Sequence, residues 1–219
     1  MDPFRLCLCG GPVAVYLLLL GAINLSRRPF LVSGTRDTAA LGLAVAGLVL
    51  VGPFELFFPN AAAIRFEPYS WIVWILLVAL YAMLLVLVLL LLRPRLIVYN
   101  IAADELRPIL ADLVTRLDSD ARWAGDSLVL PALGVQLHLD GLASMRNVSL
   151  VANGPNQSHA GWKHLENALR DTIANFQVVR NPRAFGLISA GLLIVTGLIL
   201  AIARNPQEVA HALLDMLRL

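Results

Sequence analysis

The stretch WIVWILLVALYAMLLVLVLLLL, residues 71–92, decides the fold class of this chain. Its 22 residues contain no charged side chain, and a helix that rises about 1.5 Å per residue crosses the ~30 Å hydrocarbon core of a bilayer at this length. Trp71 and Trp74 stand at one end, whereas Arg93 and Arg95 follow the other end. Aromatic and basic side chains flank membrane helices in this way, so the stretch predicts a transmembrane helix.

Three further apolar stretches predict a membrane-spanning bundle of about four helices. They cover residues 4–25, 38–58 and 179–204, and the last of them is apolar from Ala184 to Ala203. Small residues let helices approach closely in a membrane, and the second and fourth stretches contain Gly42, Ala44, Ala46, Gly47, Gly186, Ala190, Gly197 and Ala201. We therefore expect a membrane-protein partner, or a second copy of the chain, to pack on these faces.

The first stretch has an alternative interpretation as a signal peptide, because Arg5 precedes an apolar run. No small-x-small cleavage pattern follows residues 21–25, and two arginines come next. We therefore expect a retained first helix. Cys7 and Cys9 lie within it, too close together for a structural disulfide, and apolar surroundings suppress the reactivity of such thiols.

The composition agrees with a membrane protein. Of the 219 residues, 58% are hydrophobic and 15% are charged, whereas soluble domains contain about 25% charged residues. The lipid bilayer is therefore the first expected partner. The net charge of +2 is too balanced for a nucleic-acid-binding surface, so we expect no nucleic-acid partner.

The distribution of arginines predicts the orientation in the membrane. Seven flank one side of the predicted bundle and four the other, and basic residues accumulate on the cytoplasmic side. The first group is Arg27, Arg28, Arg36, Arg93, Arg95, Arg180 and Arg183, and the second is Arg5, Arg65, Arg204 and Arg218. This predicts a cytoplasmic soluble domain with both termini outside. Because Lys163 is the only lysine, we further expect a bacterial protein of the inner membrane.

Residues 95–178 predict a small soluble α+β domain, inserted between the third and fourth membrane helices. Apolar residues recur at helical spacing over 103–118 and 159–176, and they alternate with polar residues over 135–140. The predicted order is β-α-β-β-β-β-α, with two helices packed on one face of a mostly antiparallel sheet. Beyond the fourth membrane helix, residues 205–219 predict an amphipathic helix at the C-terminal end.

Glu55 is the one acidic residue within an apolar stretch, in GPFELFFP at residues 52–59. A charge at membrane depth is costly and therefore indicates function, such as proton or ion transfer. Glu55 nevertheless lies about one turn from the predicted outer boundary, where it would reach water or pair with Arg65. We expect the interfacial role and keep Glu55 as a possible functional membrane acid.

Other polar residues form only weak patterns. His138 and Asp140 share a predicted sheet face, and His159 and His164 lie near the start of a predicted helix, but their spacing matches no zinc site. The segment 118–120, Asp-Ser-Asp, lacks the ligand and glycine that should follow in a calcium loop, and it predicts an ordinary turn at the end of a helix. We therefore assign no catalytic residue, no cofactor and no metal ligand.

Three functions remain open at the level of sequence. The first is a non-catalytic protein that anchors the α+β domain for protein interaction or for assembly of a membrane complex. The second is a subunit or regulator of a transporter or channel, although the predicted helices contain few polar groups for a hydrophilic pathway. The third is an enzyme acting at the membrane surface, which would need an acid, base or metal cluster that the spacing does not reveal.

Overall fold

The computed structural model describes residues 3–57, 70–142, 146–155, 157–204 and 206–207. Six helices lie in these residues: α1 (Pro3–Leu25), α2 (Gly34–Phe57), α3 (Ser70–Leu91), α4 (Ala103–Leu117), α5 (His159–Ala174) and α6 (Ala184–Arg204). The chain divides into two compact units. The helical unit contains Met1–Leu20, Ala39–Leu91 and Gly186–Leu219, and the sheet unit contains Gly21–Thr38 and Leu92–Phe185.

Close approach at glycine residues joins the helices of the helical unit. A Cβ atom at Gly47 of α2 would overlap the backbone carbonyl of Leu8 in α1, and one at Gly191 of α6 would stand 2.8 Å from Leu18 Cγ. The hydroxyl of Tyr81 in α3 donates a hydrogen bond of 2.6 Å to a carbonyl of α2. The side-chain-free surface of glycine therefore allows backbone contact between these helices.

Two helices in the described residues are long and apolar enough to cross a membrane, namely Arg5–Leu25 and Ala184–Arg204. The sequence had predicted about four such helices. The apolar part of α3 for which side chains are described is Ile75–Leu91, and this part alone is too short to cross a membrane. Most of the predicted C-terminal helix, residues 208–219, lies outside the described residues.

The sheet unit is built on a six-stranded antiparallel sheet, which confirms the predicted α+β class of this part of the chain. Its strands are β1 (Phe30–Ser33), β2 (Arg95–Tyr99), β3 (Arg122–Ala124), β4 (Ser127–Leu130), β5 (Val135–Leu142) and β6 (Asn147–Ala152). They lie in the order β1-β2-β6-β5-β4-β3, and every neighbouring pair is antiparallel. The two edges of the sheet are therefore β1 and β3.

Strand β1 belongs to the segment between α1 and α2, which the sequence analysis treated only as a basic loop. Its residues Phe-Leu-Val favour extended backbone because branched and aromatic side chains suit a pleated surface. Leu31 stands opposite Val98 of β2 and is 7% exposed within the hydrophobic core. Four residues are too short for a periodic signal, so the strand was missed.

The hydrophobic core lies between the sheet and its two helices. Leu128, Leu137 and Leu150, on three strands, are fully buried together with Leu110 of α4 and Leu165 of α5. Alternate residues of β5 and β6 are buried and more exposed, because successive side chains of a strand point to opposite faces. One face of the sheet is therefore apolar and carries the core, as the alternation at residues 135–140 predicted.

Candidate functional site

The sheet unit contains a cavity of about 300 Å³, which we call the basic pocket. Three segments contribute to it: the junction of β1 with α2, the chain that enters β2, and one face of α5. The lining residues are Ser33, Thr35, Leu92, Pro94, Arg95, Leu96, His159, Trp162, Lys163 and Glu166. The pocket therefore combines cationic groups, two hydroxyl groups and a partly apolar wall.

Arg95 is held in place by the first turn of α2. Its Nη2 atom donates a hydrogen bond of 2.9 Å to Thr38 Oγ1 and lies 3.9 Å from Asp37 Oδ2. The other carboxylate oxygen of Asp37 accepts a hydrogen bond of 2.6 Å from the hydroxyl of Tyr99. Arg95 and Tyr99 lie four residues apart on β2, an even spacing that places them on the same face of the sheet. This face is opposite to the one that carries Leu96 and the core.

Gly34, the first residue of α2, makes this arrangement possible. A Cβ atom at this position would overlap Cγ of Arg95 and would stand 2.7 Å from its Cδ. The Arg95 side chain therefore runs directly over the glycine. Arginine carries five N–H donors in a rigid fork, and within the described residues only the bond to Thr38 is formed. Its Nε atom is shielded from solvent and has no hydrogen-bond partner there.

Helix α5 presents its first two turns to the pocket. His159, Trp162, Lys163 and Glu166 follow the spacing i, i+3, i+4 and i+7, which places them on one helix face. The helix begins after Ser158, whose hydroxyl oxygen accepts a hydrogen bond of 3.1 Å from the third helical residue. This capping bond satisfies one of the free amides of the first turn and fixes where the helix starts.

The charges of the pocket do not cancel internally. Glu166 accepts a hydrogen bond of 2.6 Å from Arg170, one helical turn further along α5 and outside the pocket lining. Lys163 is exposed and forms no ion pair with any other described residue. Arg95 is partly compensated by Asp37, whose carboxylate lies 3.9 Å away, so Lys163 is the cation of the lining that has no ion-pair partner among the described residues. The result is a local excess of positive charge.

A second cavity of about 550 Å³ adjoins the same chain segment and shares Pro94 with the basic pocket. Arg93, Ala152, Gly154, Pro155 and Gln157 complete the lining of this second cavity. Arg93 is the one charged residue in that wall. The second cavity therefore offers less charge than the basic pocket, and it carries no second basic group on the opposite wall.

A buried polar pair lies where the ends of α1 and α6 enter the sheet unit. Asn24 and Asn181 are 6% and 3% exposed. Asn181 Nδ2 donates a hydrogen bond of 3.2 Å to Asn24 Oδ1. Nearby, the backbone amide of Val178 donates a bond of 2.9 Å to the carbonyl of Arg27, and Asn100 Nδ2 donates one of 2.7 Å to the carbonyl of Ser26. These bonds satisfy polar groups that would be costly to bury alone.

The candidate residues from the sequence do not meet in one site. His138 and Asp140 are exposed on the polar sheet face, where His138 Nδ1 lies 3.2 Å from Ser127 Oγ. His159 lines the basic pocket, whereas His164 does not. Within the described ranges there is no group of three His, Cys, Asp or Glu side chains that could hold a metal ion.

Glu55 belongs to the last turn of α2, but its side chain is outside the described part of the structure. Cys7 and Cys9 are partly buried, and Cys9 Sγ donates a bond of 3.5 Å to the carbonyl of Gly47. Asp118 is 3% exposed and ends α4. Its two carboxylate oxygens accept backbone bonds of 2.9 Å from Asp120 and 2.8 Å from Ala132, which is the role of a turn residue.

No family model matches the chain, and no curated protein or solved structure is significantly similar to it. The class defined by the structure is therefore an α+β sheet unit joined in one chain to apolar helices, two of which could cross a membrane.

The sequence analysis did not predict the basic pocket, because it considered the two cations separately. Arg95 counted toward the end of the predicted third helix and the orientation of the bundle, and Lys163 counted toward composition and the expected source. The two residues are 68 positions apart in the chain, so no motif could join them. One signal was available: His159 and Lys163 are spaced i and i+4, which places two basic groups on one face of a helix.

Proposed function

We propose that this chain is a non-catalytic, multi-pass membrane protein whose four apolar helices anchor the sheet domain for protein interaction or for assembly of a membrane complex. The observation that carries the proposal is the way the chain enters the sheet unit. The sheet unit contains the end of α1, the start of α2 and the start of α6, and it begins again at Leu92, directly after α3.

This connectivity differs from that of a domain tethered by a linker. Residues 26–33 connect α1 to α2 and at the same time supply β1, so the segment is ordered by the sheet. Ordering backbone costs roughly 1–2 kcal/mol per residue, which the burial of Leu31 and the ladder to β2 must offset. A chain that needed only an anchor would not require this strand. We therefore propose that the segment between α1 and α2 both anchors the sheet unit and forms part of its fold.

Exposed apolar surface on the helical unit supports four membrane crossings. Leu76, Leu90 and Leu91 of α3 are 63%, 77% and 74% exposed, and Leu193 of α6 is 74% exposed. Apolar surface of this extent on neighbouring turns is unfavourable in water but is solvated by lipid chains. We propose that α2 and α3 cross the membrane together with the two helices that meet the length criterion.

The orientation is part of the same proposal: the arginine bias favours a cytoplasmic sheet domain in a bacterial inner membrane. The test uses a chain with Cys7→Ser and Cys9→Ser, and with a new cysteine at Asp140, which is exposed on the polar sheet face. We expect a membrane-impermeant maleimide to label it in permeabilised cells but not in intact cells. Asn60→Cys, between the second and third predicted helices, is the control and should label in both.

A partner surface is available on α6. A Cβ atom at Gly186 or at Gly197 would meet no atom of the described residues within 4 Å, whereas Gly191 of the same helix packs against Leu18. Two of the small residues predicted for helix packing are thus left open in this chain. We propose that a membrane-protein partner, or a second copy of the chain, packs there by the close approach that small residues permit.

Purification of the tagged full chain from its native membrane in gentle detergent, followed by mass spectrometry, tests this role. We expect a stoichiometric partner or a homo-oligomer, and we expect Gly186→Leu with Gly197→Leu to release it. The matched control is Gly11→Leu, because Gly11 of α1 also meets open space. A monomer without a partner would contradict the assembly role and favour a regulator of transport, for which Glu55→Gln is the next variant.

A further inference from the structure

We propose that the basic pocket binds the phosphate group of an anionic ester. This goes beyond the proposed function, because phosphate binding by the sheet unit does not depend on which protein partner the chain has. The ester is either the headgroup of an anionic phospholipid or a soluble phosphate ester, and the recognition chemistry is the same for both. The experiment below separates these two sources.

Charge is the first argument. Arg95 and Lys163 approach the cavity from different elements, β2 and α5. Glu166, the one acid in the lining, is bonded to Arg170. Asp37 lies 3.9 Å from Arg95, so Lys163 supplies the uncompensated positive charge. A guanidinium and an ammonium together suit phosphate, since the planar fork of arginine matches two oxygens and lysine acts as a point charge. The excess positive charge of the pocket therefore fits an anion with several acceptor oxygens.

Free donors are the second argument. Arg95 is fixed by Thr38 and by the stem contact with Gly34, yet most of its N–H groups form no bond with the described residues. The hydroxyl-bearing residues Ser33 and Thr35 line the same cavity. A pre-positioned guanidinium loses little further side-chain entropy on binding, so its donors are ready for an incoming anion.

Size and wall chemistry are the third argument. The cavity volume of about 300 Å³ is at the small end of the range for ligand pockets, roughly 300–1,000 Å³, and suits a headgroup or small ester rather than a nucleotide cofactor. Trp162, Leu92 and Leu96 make part of the wall apolar. Leu92 also directly follows α3 in the chain, and anionic lipid headgroups attract basic residues that adjoin a membrane helix in the sequence.

The experiment uses the full chain in nanodiscs of zwitterionic phosphatidylcholine, with dissociation constants measured by microscale thermophoresis. One arm titrates dioctanoyl phosphatidylglycerol, and the other titrates glycerol 3-phosphate and inorganic phosphate. We expect saturable binding in at least one arm. Lys163→Gln should weaken it about 5- to 10-fold, as expected for loss of one charge-assisted contact. Because Lys163 is exposed and unpaired among the described residues, this variant should fold normally.

Two matched controls make the result specific. Arg122→Gln removes one exposed positive charge on β3, away from the pocket lining, and should change the dissociation constant less than about 2-fold. His164→Gln is the control for His159→Gln, because both histidines are exposed on α5 but only His159 lines the pocket. Binding in the lipid arm alone assigns a phospholipid headgroup, and binding in the soluble arm assigns a free ester. Absence of binding in both arms, or equal losses for Lys163→Gln and Arg122→Gln, would overturn the proposal.

Discussion

Replacement of Leu31 by alanine tests whether the segment between α1 and α2 is part of the sheet. Leu31 is 7% exposed and belongs to the same core cluster as Val98, its partner on β2. The substitution removes three side-chain carbons, and each buried carbon contributes about 0.8 kcal/mol, so the transfer term alone is about 2.4 kcal/mol. An edge strand relaxes more easily than a central one, which keeps any added cavity term small. We expect a loss of about 2–3 kcal/mol in the free energy of unfolding.

The assay is thermal unfolding of the detergent-purified full chain, followed through hydrogen exchange of β2 and β6 amides so that the signal reports on the sheet unit. A loss of about 2–3 kcal/mol corresponds to a lowering of the unfolding midpoint by roughly 8–15 °C in a domain of about 100 residues. Phe30→Ala is the control, because Phe30 is the preceding residue and is 47% exposed, and it should lower the midpoint less. A Leu31→Ala change within about 0.5 kcal/mol, typical of surface positions, would show that residues 30–33 are a loop and that the sheet has five strands.

Three further predictions concern single contacts. Gly161→Ala should destabilise the sheet unit by about 1–3 kcal/mol in the same assay, since its Cβ would overlap the backbone carbonyl of Leu133. An unchanged unfolding midpoint would mean that α5 lies further from the turn between β4 and β5. Asp118→Ala should lower the free energy of unfolding by about 2–4 kcal/mol, because two backbone amides lose their acceptor. Asp118→Asn should lose less, because one amide oxygen remains as an acceptor. Equal losses for both variants would show that the charge of Asp118 matters and not its hydrogen bonds. Gly47→Ala should lower the midpoint of the helical unit, whereas Gly52→Ala, which meets open space, should leave it unchanged or raise it by the helix preference of alanine, up to about 1 kcal/mol.

The sheet domain was largely predictable because its periodicity is strong. The alternation at residues 135–140 identified one face of β5, and the helical spacing at 103–118 and 159–176 agrees with α4 (Ala103–Leu117) and α5 (His159–Ala174). Strand β1 could not be found in this way, since its pairing to β2 joins residues more than sixty positions apart and its own four residues carry no period. Local pattern determines local structure, whereas the choice of strand partner depends on contacts between distant residues.

The candidate site was predictable only in its parts. His159 was noted for its imidazole as a possible metal ligand, and the structure instead places it beside Lys163 in a pocket with excess positive charge. Arg95 was read as a flanking charge that positions a helix end, and it is in fact tied to the first turn of α2 by Thr38 and Asp37. A charged residue that follows an apolar helix can thus mark the end of that helix and also hold another helix in place, and sequence composition reveals only the first of these roles.

Asn24 illustrates why hydropathy and the contacts of the folded chain divide this sequence at different places. It occurs inside an apolar stretch, and a window average assigns it to the bilayer. The structure places it in the sheet unit, buried and bonded to Asn181, 157 positions later in the chain. An amide pair is favourable there because each side chain satisfies the other, and neither would be buried at low cost alone. The boundaries of the two units fall at 20/21, 38/39, 91/92 and 185/186, inside or at the edge of apolar helices. Residues at these helix ends therefore contribute polar bonds to the fold of the sheet unit, and substitutions there should be judged first by the bonds that they break.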